Sequence, residues 1–234
     1  MFDETARYYD KIYAFKDYAS EADRVASILH EQIGERCRLL DVACGTGSHL
    51  VHLRELFEVE GLDRSEALLA VARERLPGVR LHRADMRTFE LRSQFDAITC
   101  LFSSIGYLTT LDDVERAIRA MAAHLAPGGV LIVEPWFTPD QWMPNTVHAT
   151  LVDEPELKIA RVSTSRVDGR ISSFDLHHLI GTPDGTEHVV EHHALGLYTV
   201  DEMTAAFEAV GLAVDFNSEG LTGRGLYVAR KGVS

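Results

Sequence analysis

The residues best suited to bind a ligand begin with a glycine turn at residues 45–47. An apolar run over residues 39–42 precedes this turn, and a helical pattern follows it. Because glycine has no Cβ, Gly45 and Gly47 permit a tight turn and the close approach of a ligand. A dinucleotide turn would carry a third glycine where Leu50 stands, and a phosphate loop would end in Gly-Lys-Ser or Gly-Lys-Thr. The turn therefore favours S-adenosylmethionine over NAD or ATP.

Two acidic residues stand at the ends of the next predicted strands. Asp63 lies 18 positions after Gly45, about the length of one βαβ unit, and a carboxylate there can accept both ribose hydroxyls. Its alternative role is helix capping, although Ser65 could cap while Asp63 binds ribose. At the next strand end, Asp85 can accept from the amino group of an adenine while Met86 packs on its face.

Aromatic and small polar residues complete the candidate site. A predicted central strand over residues 95–101 is followed by Phe102, two serines and Tyr107, and small polar residues beyond a central strand are typical of a reaction centre. Tyr9 belongs to an aromatic N-terminal segment, residues 1–20. This segment either packs as a helix on the domain or covers a ligand, since aromatic rings attract a sulfonium cation.

A parallel sheet would bring these strand ends together, and the hydrophobic pattern predicts one. Helical and apolar strand segments alternate through five strands, the fifth over residues 130–134. Two more strands, over 212–216 and 226–230, follow a helix that begins in a capping box at Thr199. We therefore predict an α/β fold with a doubly wound, mostly parallel, seven-stranded Rossmann-like sheet.

An antiparallel insertion is predicted after the fifth strand. Three strand-like stretches, about 157–167, 170–180 and 187–197, are separated by the hairpin signals Asp168-Gly169 and Asp184-Gly185. The predicted organisation is a cofactor-binding core over residues 1–136 and 198–234, with a substrate platform over residues 137–197 that covers the carboxyl edge of the sheet.

The composition argues against several classes of protein. The formal net charge of −13 disfavours a nucleic-acid partner, and no run approaches the ~18 apolar residues of a membrane span. Three cysteines without a C-x-x-C pair indicate a reduced, cytoplasmic protein. The platform histidines, among them His177, lie on separate predicted strands with adjacent pairs on opposite faces, so no metal is expected.

The motifs between residues 39 and 136 resemble those of class I S-adenosylmethionine-dependent methyltransferases. The resemblance rests on the glycine turn with its strand, on Gly61-Leu62-Asp63, on Ala84-Asp85-Met86 and on Leu125-Ala126-Pro127-Gly128-Gly129. It implies that the glycine turn lies against the methionine part of the cofactor. It also implies that Asp63 binds the ribose, and that Asp85 and Met86 hold the adenine.

A closer likeness extends through almost the whole chain. Segments 9–10, 96–106, 133–136, 161–163 and 223–226 are similar to bacterial enzymes that N,N-dimethylate TDP-linked 3-amino-deoxysugars for macrolide antibiotics. This likeness implies a nucleotide-sugar substrate, an antiparallel platform and a homodimer. The chain departs from those enzymes at two places: Tyr107 stands where they carry His near the acceptor amine, and Met1 and Phe2 stand where they place a tyrosine.

The candidate residues fall into three groups. Tyr107 is expected to orient the acceptor and Tyr9 to pack over the sulfonium, although the unperturbed pKa of tyrosine, ~10, makes Tyr107 a poor base. The candidate cofactor-binding residues are Tyr9, Asp41, Ala43, Gly45, Gly47, Asp63, Arg64, Asp85, Met86, Leu101 and Phe102. The candidate substrate-binding residues are Phe2, Ser104, Tyr107, Trp136, Arg161, His177 and Arg224. Arg224, between two glycines, is either a clamp for a phosphate or carboxylate or a solvated turn arginine.

Two other functions stay open on the sequence alone. Within methyltransferases, the acceptor could be another small amine, a carboxylate or a phenol of secondary metabolism. Outside them, the chain could be an NAD-dependent oxidoreductase or a non-catalytic cofactor-binding module, and the missing third glycine counts against NAD.

Overall fold

The computed structural model describes residues 4–35 and 37–233, which form two β-sheets and their flanking helices. The α-helices are α1 (Tyr9–Ile12), α2 (Tyr18–Ile33), α3 (Ser48–Leu53), α4 (Glu66–Arg75), α5 (Leu111–His124) and α6 (Val200–Glu208). The strands are β1 (Arg38–Val42), β2 (Glu58–Asp63), β3 (Arg80–Arg83), β4 (Phe95–Cys100), β5 (Leu125–Val133), β6 (Val147–Glu154), β7 (Leu157–Asp168), β8 (Ile171–Thr182), β9 (Gly185–Gly196), β10 (Leu212–Asn217) and β11 (Leu226–Lys231).

Seven strands form the larger sheet, in the order β10-β11-β5-β4-β1-β2-β3. The strands β1 to β5 run parallel to their neighbours within this set, whereas β11 is antiparallel to both β5 and β10. The predicted seven-stranded, mostly parallel sheet is therefore confirmed. Within the described ranges, none of the helices has the length and apolar character needed to span a lipid bilayer.

The link between β3 and β4 differs from the predicted alternation. No helix forms in the described segment 84–94. This loop is instead hydrogen bonded to α5. The Leu91 N–H donates to His124 Nε2 at 2.8 Å, and the Phe89 ring stacks on the same imidazole. β5 also begins earlier than predicted, at Leu125, which pairs with Phe95 before the register shifts.

Separate apolar layers cover the two faces of the larger sheet. Leu39 of β1 packs with residues of α2, α3 and α4, including Leu29 and Leu50. Its neighbour Leu40 packs in the other layer, with Ile118 of α5 and residues of α6. Successive side chains of a strand point to opposite faces, so a strand covered on both sides must be apolar at every position. This explains the continuous apolar runs in the sequence.

The smaller sheet is the predicted antiparallel insertion, with one strand more than expected. Its order is β6-β7-β8-β9, and all four strands lie between residues 137 and 197. The prediction missed β6. This strand is at the edge of the sheet and most of its side chains are exposed, so its sequence lacks the apolar density of a core strand.

The N-terminal segment connects the two sheets. Asp10 accepts hydrogen bonds from Thr46 Oγ1 at 2.8 Å and Ser48 Oγ at 3.1 Å, which fixes the segment to the glycine turn. On its other side, Ile12 packs against Ile159 and Ile180 beneath the smaller sheet. Tyr9 and Tyr13, which flank these two anchors, are thereby held over the carboxyl ends of the parallel strands.

Candidate active site

A cavity of about 1200 Å³ lies between the carboxyl ends of the parallel strands and the inner face of the smaller sheet. The candidate residues that line it are Tyr9, Ala43, Gly45, Asp63, Arg64, Asp85, Met86, Phe102, Ser104, Tyr107, Trp136, Arg161 and Arg224. Asp41 and Leu101 line a smaller recess that shares Tyr9, Gly45 and Phe102 with the main cavity. Motifs that are far apart in sequence therefore meet at one place, as a ligand site at the edge of an open α/β sheet requires.

The glycine turn and Asp63 form one hydrogen-bonded unit. Asp63 Oδ2 accepts from the Gly45 N–H at 2.9 Å, and Oδ1 accepts from the Ser65 N–H at 2.8 Å. Burial raises the pKa of Asp63. The Arg64 backbone also donates to Asp63. A carboxylate has about four acceptor positions, so these three backbone donors leave capacity for a ribose hydroxyl. Ser65 caps α4 by accepting from the Leu68 N–H, so the capping role belongs to the serine.

The glycine turn exposes its backbone to the cavity at Gly45. The φ angles of Ala43, Gly45 and Gly47 are 61°, 56° and 76°, in the left-handed region. A Cβ built on Gly45 would meet nothing within 4 Å, whereas one built on Gly47 would lie 2.5 Å from Leu76 Cδ1. Gly45 thus allows a ligand to approach, and Gly47 allows close packing behind the turn.

Asp85 is held by an arginine that the sequence analysis missed. Arg87 donates from Nε to Asp85 Oδ1 at 2.9 Å and from Nη2 to Oδ2 at 2.7 Å, and this pairing lowers the pKa of Asp85 to about 2. Arg87 Nη1 also donates to Asp113 at the start of α5. The Asp85 carboxylate is therefore ionised and fixed in orientation at the wall of the cavity, next to Met86.

A buried glutamate organises the end of the central strand. Glu134 is 0% exposed; its Oε2 accepts from the Phe102 N–H at 2.6 Å and its Oε1 from Thr222 Oγ1 at 2.5 Å. Phe102 and Ser103 have φ angles of 51° and 60°, which are unusual for residues with a side chain. Such strain persists only where the surroundings impose it, and the carboxylate of Glu134 is part of that constraint.

Aromatic rings form the wall next to the glycine turn. The ring centroids of Tyr9 and Tyr13 are 4.6 Å apart, and Tyr13 meets Phe102 edge to face at 5.3 Å. Burial raises the pKa of Tyr9, so its hydroxyl stays neutral. The Lys16 ammonium lies 4.0 Å from the Phe102 ring centroid, which shows that this wall already accommodates a cation.

Two arginines lie on the platform side of the cavity. Arg224 Nη1 donates to Ser103 Oγ at 2.7 Å, and its guanidinium lies 5.4 Å from the Trp136 ring centroid. Arg161 Nη2 donates to Thr150 Oγ1 at 3.0 Å, and its guanidinium lies 4.9 Å from the Tyr13 ring centroid. These partners are neutral, so the positive charges are available to an anionic ligand.

Tyr107 and Trp136 lie deeper on the same side. Tyr107 Oη is 2.9 Å from Nδ1 of His193, a histidine of β9, and burial raises the pKa of Tyr107. The Trp136 Nε1–H donates to Ser172 Oγ at 2.9 Å, which ties the end of β5 to the smaller sheet. Ser104 donates back to the Leu101 carbonyl, so it acts within its own turn.

Two of the described candidate residues, His177 and Gly47, line neither the main cavity nor the smaller recess. His177 is exposed on the outer face of the smaller sheet, where its Nδ1 lies 3.2 Å from His188 Nε2, so it does not face the cavity in which a substrate is expected. Alternation on β8 instead turns the even-numbered residues inward, among them Phe174 and His178. Gly47 packs behind the turn, as described above. Phe2 lies outside the described residues.

Three residues of this site were not assigned a role from the sequence. Glu134 is an acid at the end of an apolar strand, the same signal that identified Asp63. Arg87 stands two positions after Asp85. His193 could not have been singled out, because its partner Tyr107 is 86 positions away, in the turn that follows β4 of the larger sheet. In the described part of the chain, no group of three or more His, Cys, Asp or Glu residues is arranged to hold a metal ion.

The strand order, the glycine turn and the acidic residue at the end of β2 define a class I methyltransferase. Residues 39–129 match the family described as "Methyltransferase domain". The chain is 41% identical over 233 residues to a dTDP-3-amino-3,6-dideoxy-α-D-glucopyranose N,N-dimethyltransferase of Streptomyces fradiae, covering 98% of this chain and 91% of that protein. It is 40% identical over 223 residues to a dTDP-4-amino-2,3,4,6-tetradeoxy-D-glucose N,N-dimethyltransferase of Saccharopolyspora spinosa, covering 94% and 90%.

Solved structures lead to the same family. The fold matches Streptomyces venezuelae DesVI with a TM-score of 0.93 and 40% identity, over 97% of this chain and 98% of that one. It also matches the amino pentose methyltransferase CalS10 of Micromonospora echinaspora, in a structure with bound S-adenosylmethionine, with a TM-score of 0.84 and 44% identity over 92% of each chain. The chain belongs to the S-adenosylmethionine-dependent N-methyltransferases of the dTDP-aminosugar family.

The fully buried Asp41 gives a prediction about stability. Its Oδ1 accepts from Thr99 Oγ1 at 2.7 Å, but burial raises the pKa of Asp41 from 3.8 to about 6. Ionisation therefore opposes folding, by up to about 3 kcal/mol once the pH exceeds 6. Asp41→Asn keeps an acceptor for Thr99 and cannot ionise. We expect this variant to gain unfolding free energy over the wild type at pH 7.5, measured in urea without ligands.

At pH 4 the wild-type Asp41 is protonated in the folded state, so the two proteins should unfold with nearly the same free energy. A difference of equal size at both pH values would contradict the prediction, because it would show that the substitution acts through packing and not through charge.

Proposed function

We propose that this protein methylates the amine of a dTDP-linked amino-deoxysugar, with the N,N-dimethyl sugar as its product. One observation carries the proposal: Arg161 and Arg224, whose described partners are neutral, face the cavity in a protein of net charge −13. In an acidic protein, two arginines whose described partners are neutral are suited to bind a negatively charged ligand, such as a diphosphate. The substrates named for the similar enzymes carry this group.

The other end of the cavity suits S-adenosylmethionine. We assign the ribose to Asp63, which keeps acceptor capacity after its three backbone contacts, and the adenine to the wall formed by Asp85 and Met86. The methionine part is assigned to the recess lined by Asp41, Leu101 and the glycine turn. The rings of Tyr9 and Phe102 are placed to face the sulfonium, which supplies an activated methyl group when the cofactor is bound.

The protein's task in methyl transfer is alignment. The acceptor nitrogen must lie in line with the methyl group and the sulfur, and positioning of this kind can supply about 7–11 kcal/mol. The attacking amine must be neutral, and it loses a proton to solvent or to a base as the new N–CH₃ bond forms. We assign the orientation of the amine to Tyr107, which lines the same cavity as the cofactor residues and the arginines.

The identity of the methylated substrate tests the proposed function. Wild-type protein is to be incubated with S-adenosylmethionine and, in turn, the two dTDP-aminosugars named above for its relatives, which carry the amine at C3 and C4. We expect mass spectrometry to show at least one of them gaining one and then two CH₂ units. A gain only on small amines, carboxylates or phenols without a diphosphate would contradict the proposal and favour the alternative acceptors.

Arg224 is predicted to bind the diphosphate. Arg224→Met keeps the apolar stem over Trp136 but removes the charge, and loss of hydrogen bonds to a charged group costs about 1.5–3 kcal/mol. We expect the KM for the dTDP-aminosugar to rise about ten- to a hundredfold, with cofactor affinity unchanged by calorimetry. The matched control is Arg230→Met, at an exposed position of β11. Equal KM values for the two variants would remove Arg224 from the diphosphate site.

We also propose that the protein forms a homodimer through the outer face of the smaller sheet. Leu151 and Leu179 on this face are 75% and 53% exposed, and the strand registers place both in one cross-strand row with Ala160 between them. Val162, 45% exposed, stands in the next row. A contiguous exposed apolar area of this kind is typical of a protein–protein interface.

Disruption of this face should convert dimer to monomer. Leu179→Lys places a charge within this apolar area, and sedimentation velocity should then show a monomer where the wild type sediments as a dimer. The control is Leu56→Lys, at an exposed apolar position on the larger sheet's side of the molecule. A monomeric wild type, or a dimer that withstands Leu179→Lys, would show that the outer face is not the interface.

A further inference from the structure

Tyr107 and His193 form a buried pair at the acceptor end of the cavity. Tyr107 Oη lies 2.9 Å from His193 Nδ1, and His193 is 2% exposed. Tyr107 follows the central strand β4, whereas His193 belongs to β9. The imidazole is stacked on Phe174, with ring centroids 5.4 Å apart and an angle of 8° between the planes. The imidazole and the hydroxyl are therefore each fixed by a different sheet.

We propose that His193 is a positioning residue for methyl transfer: its Nδ1 accepts the hydroxyl proton of Tyr107, so that Tyr107 Oη offers the acceptor amine a lone pair and not a proton. The inference rests on the proposed methylation of an amine. It deepens that function by fixing the direction of the hydrogen bond beside the nucleophile.

The carboxyl group of Glu191, whose pKa is raised by burial, lies on the other side of the imidazole and favours one direction of the bond. His193 Nε2 lies 4.0 Å from Glu191 Oε2, and Thr5 Oγ1 lies 2.9 Å from each Glu191 oxygen, to which it donates. A carboxylate favours a proton on the ring nitrogen that faces it. A neutral imidazole carries one N–H and one acceptor nitrogen, so a proton on Nε2 leaves Nδ1 as the acceptor.

Burial keeps both partners neutral. It lowers the pKa of His193 to about 4 and raises the pKa of Tyr107, so at neutral pH the imidazole is uncharged and the phenol keeps its proton. With so low a pKa, His193 is too weak a base to deprotonate an ammonium group. Its contribution is therefore to hold the Tyr107 hydroxyl in one orientation.

That orientation matters because the lone pair of the amine is the nucleophile. A phenol that donated its proton to the nitrogen would occupy this lone pair. With its proton held by His193, Tyr107 Oη instead accepts an N–H from the amine, and the lone pair is left to face the methyl group. A primary amine and a secondary amine both have an N–H, whereas a tertiary amine has none. The same contact thus serves two successive transfers and is lost after the second.

Substitutions at His193 separate this role from packing. His193→Leu removes the acceptor at nearly constant volume, whereas His193→Asn keeps a carbonyl oxygen close to the position of Nδ1. We expect His193→Leu to lower kcat about tenfold in both methylation steps, with the Kd of S-adenosylmethionine unchanged, and His193→Asn to recover most of the loss. Equal losses in the two variants, or a change confined to KM, would overturn the inference.

A double-mutant cycle tests whether His193 acts through Tyr107. If it does, His193→Leu should have no further effect on kcat in a Tyr107→Phe background, where no hydroxyl is left to orient. Additive losses would show that the two residues act separately. Thermal unfolding of all four proteins identifies any variant that is misfolded, and Phe174→Leu serves as a control for loss of packing on the imidazole.

A spectroscopic measurement decides the hydrogen-bond direction without any acceptor. In protein labelled with 15N-histidine, the His193 resonances, assigned by their loss in His193→Asn, should show a protonated Nε2 and an unprotonated Nδ1 whose shift changes in Tyr107→Phe. A protonated Nδ1 would refute the inference. If instead no dTDP-aminosugar is methylated but the resonances are as expected, the substrate proposal fails and the kinetic comparison is made on whichever amine is accepted.

Discussion

The buried carboxylate of Glu134 is the constraint on which the arrangement of the cavity depends. It stands at the end of β5 and accepts from the Phe102 backbone and from Thr222, so it joins the end of β4 to the loop that carries Arg224. A buried charge is costly unless it is hydrogen bonded, and here both oxygens have partners. These contacts hold Phe102 and Ser103 in left-handed conformations. Phe102 then faces the cofactor region, and Ser103 accepts from Arg224.

The acidic candidate residues and the two platform-side arginines occupy different parts of the cavity, and Lys16, Arg64 and Arg87 line it on the side of the acids. Asp41, Asp63 and Asp85 lie towards the cofactor side, whereas Arg161 and Arg224 lie towards the platform. A cofactor with a ribose diol, an adenine amino group and a sulfonium is complementary to the first set, and an anionic substrate to the second. Between them lie neutral groups, since burial prevents ionisation of Tyr107 and His193. A reaction in which an uncharged amine must attack a cation requires a neutral region at that point.

Several parts of the prediction succeeded because each depended on local pattern. The hydrophobic periodicity and turn signals specified the seven-stranded sheet and the antiparallel insertion, and the motif residues appeared at strand ends that parallel pairing must bring together. The errors came from segments whose structure depends on distant partners. The loop before β4 is held by His124 of α5, and the edge strand β6 depends on pairing with β7.

His177 illustrates a different limit of prediction from sequence. A shift of one residue in strand register moves every side chain of the strand to the opposite face of the sheet. The sequence indicated a histidine that touches substrate, but pairing in the smaller sheet turns His177 outward and His193 inward. The alternation of side chains along a strand does not by itself show which face of the smaller sheet packs against the rest of the protein.

The sequence by itself determined the class of enzyme and brought its motif residues to the strand ends at one edge of the sheet. Those residues lie within single βα units, where the spacing along the chain fixes the spacing in the fold. Only the tertiary structure decided the acceptor half. The pairing of Tyr107 with His193, of Arg224 with Ser103 and of Glu134 with Thr222 joins residues 86, 121 and 88 positions apart. No local propensity encodes such contacts, since they arise only when the smaller sheet and the C-terminal loop pack over the ends of the parallel strands.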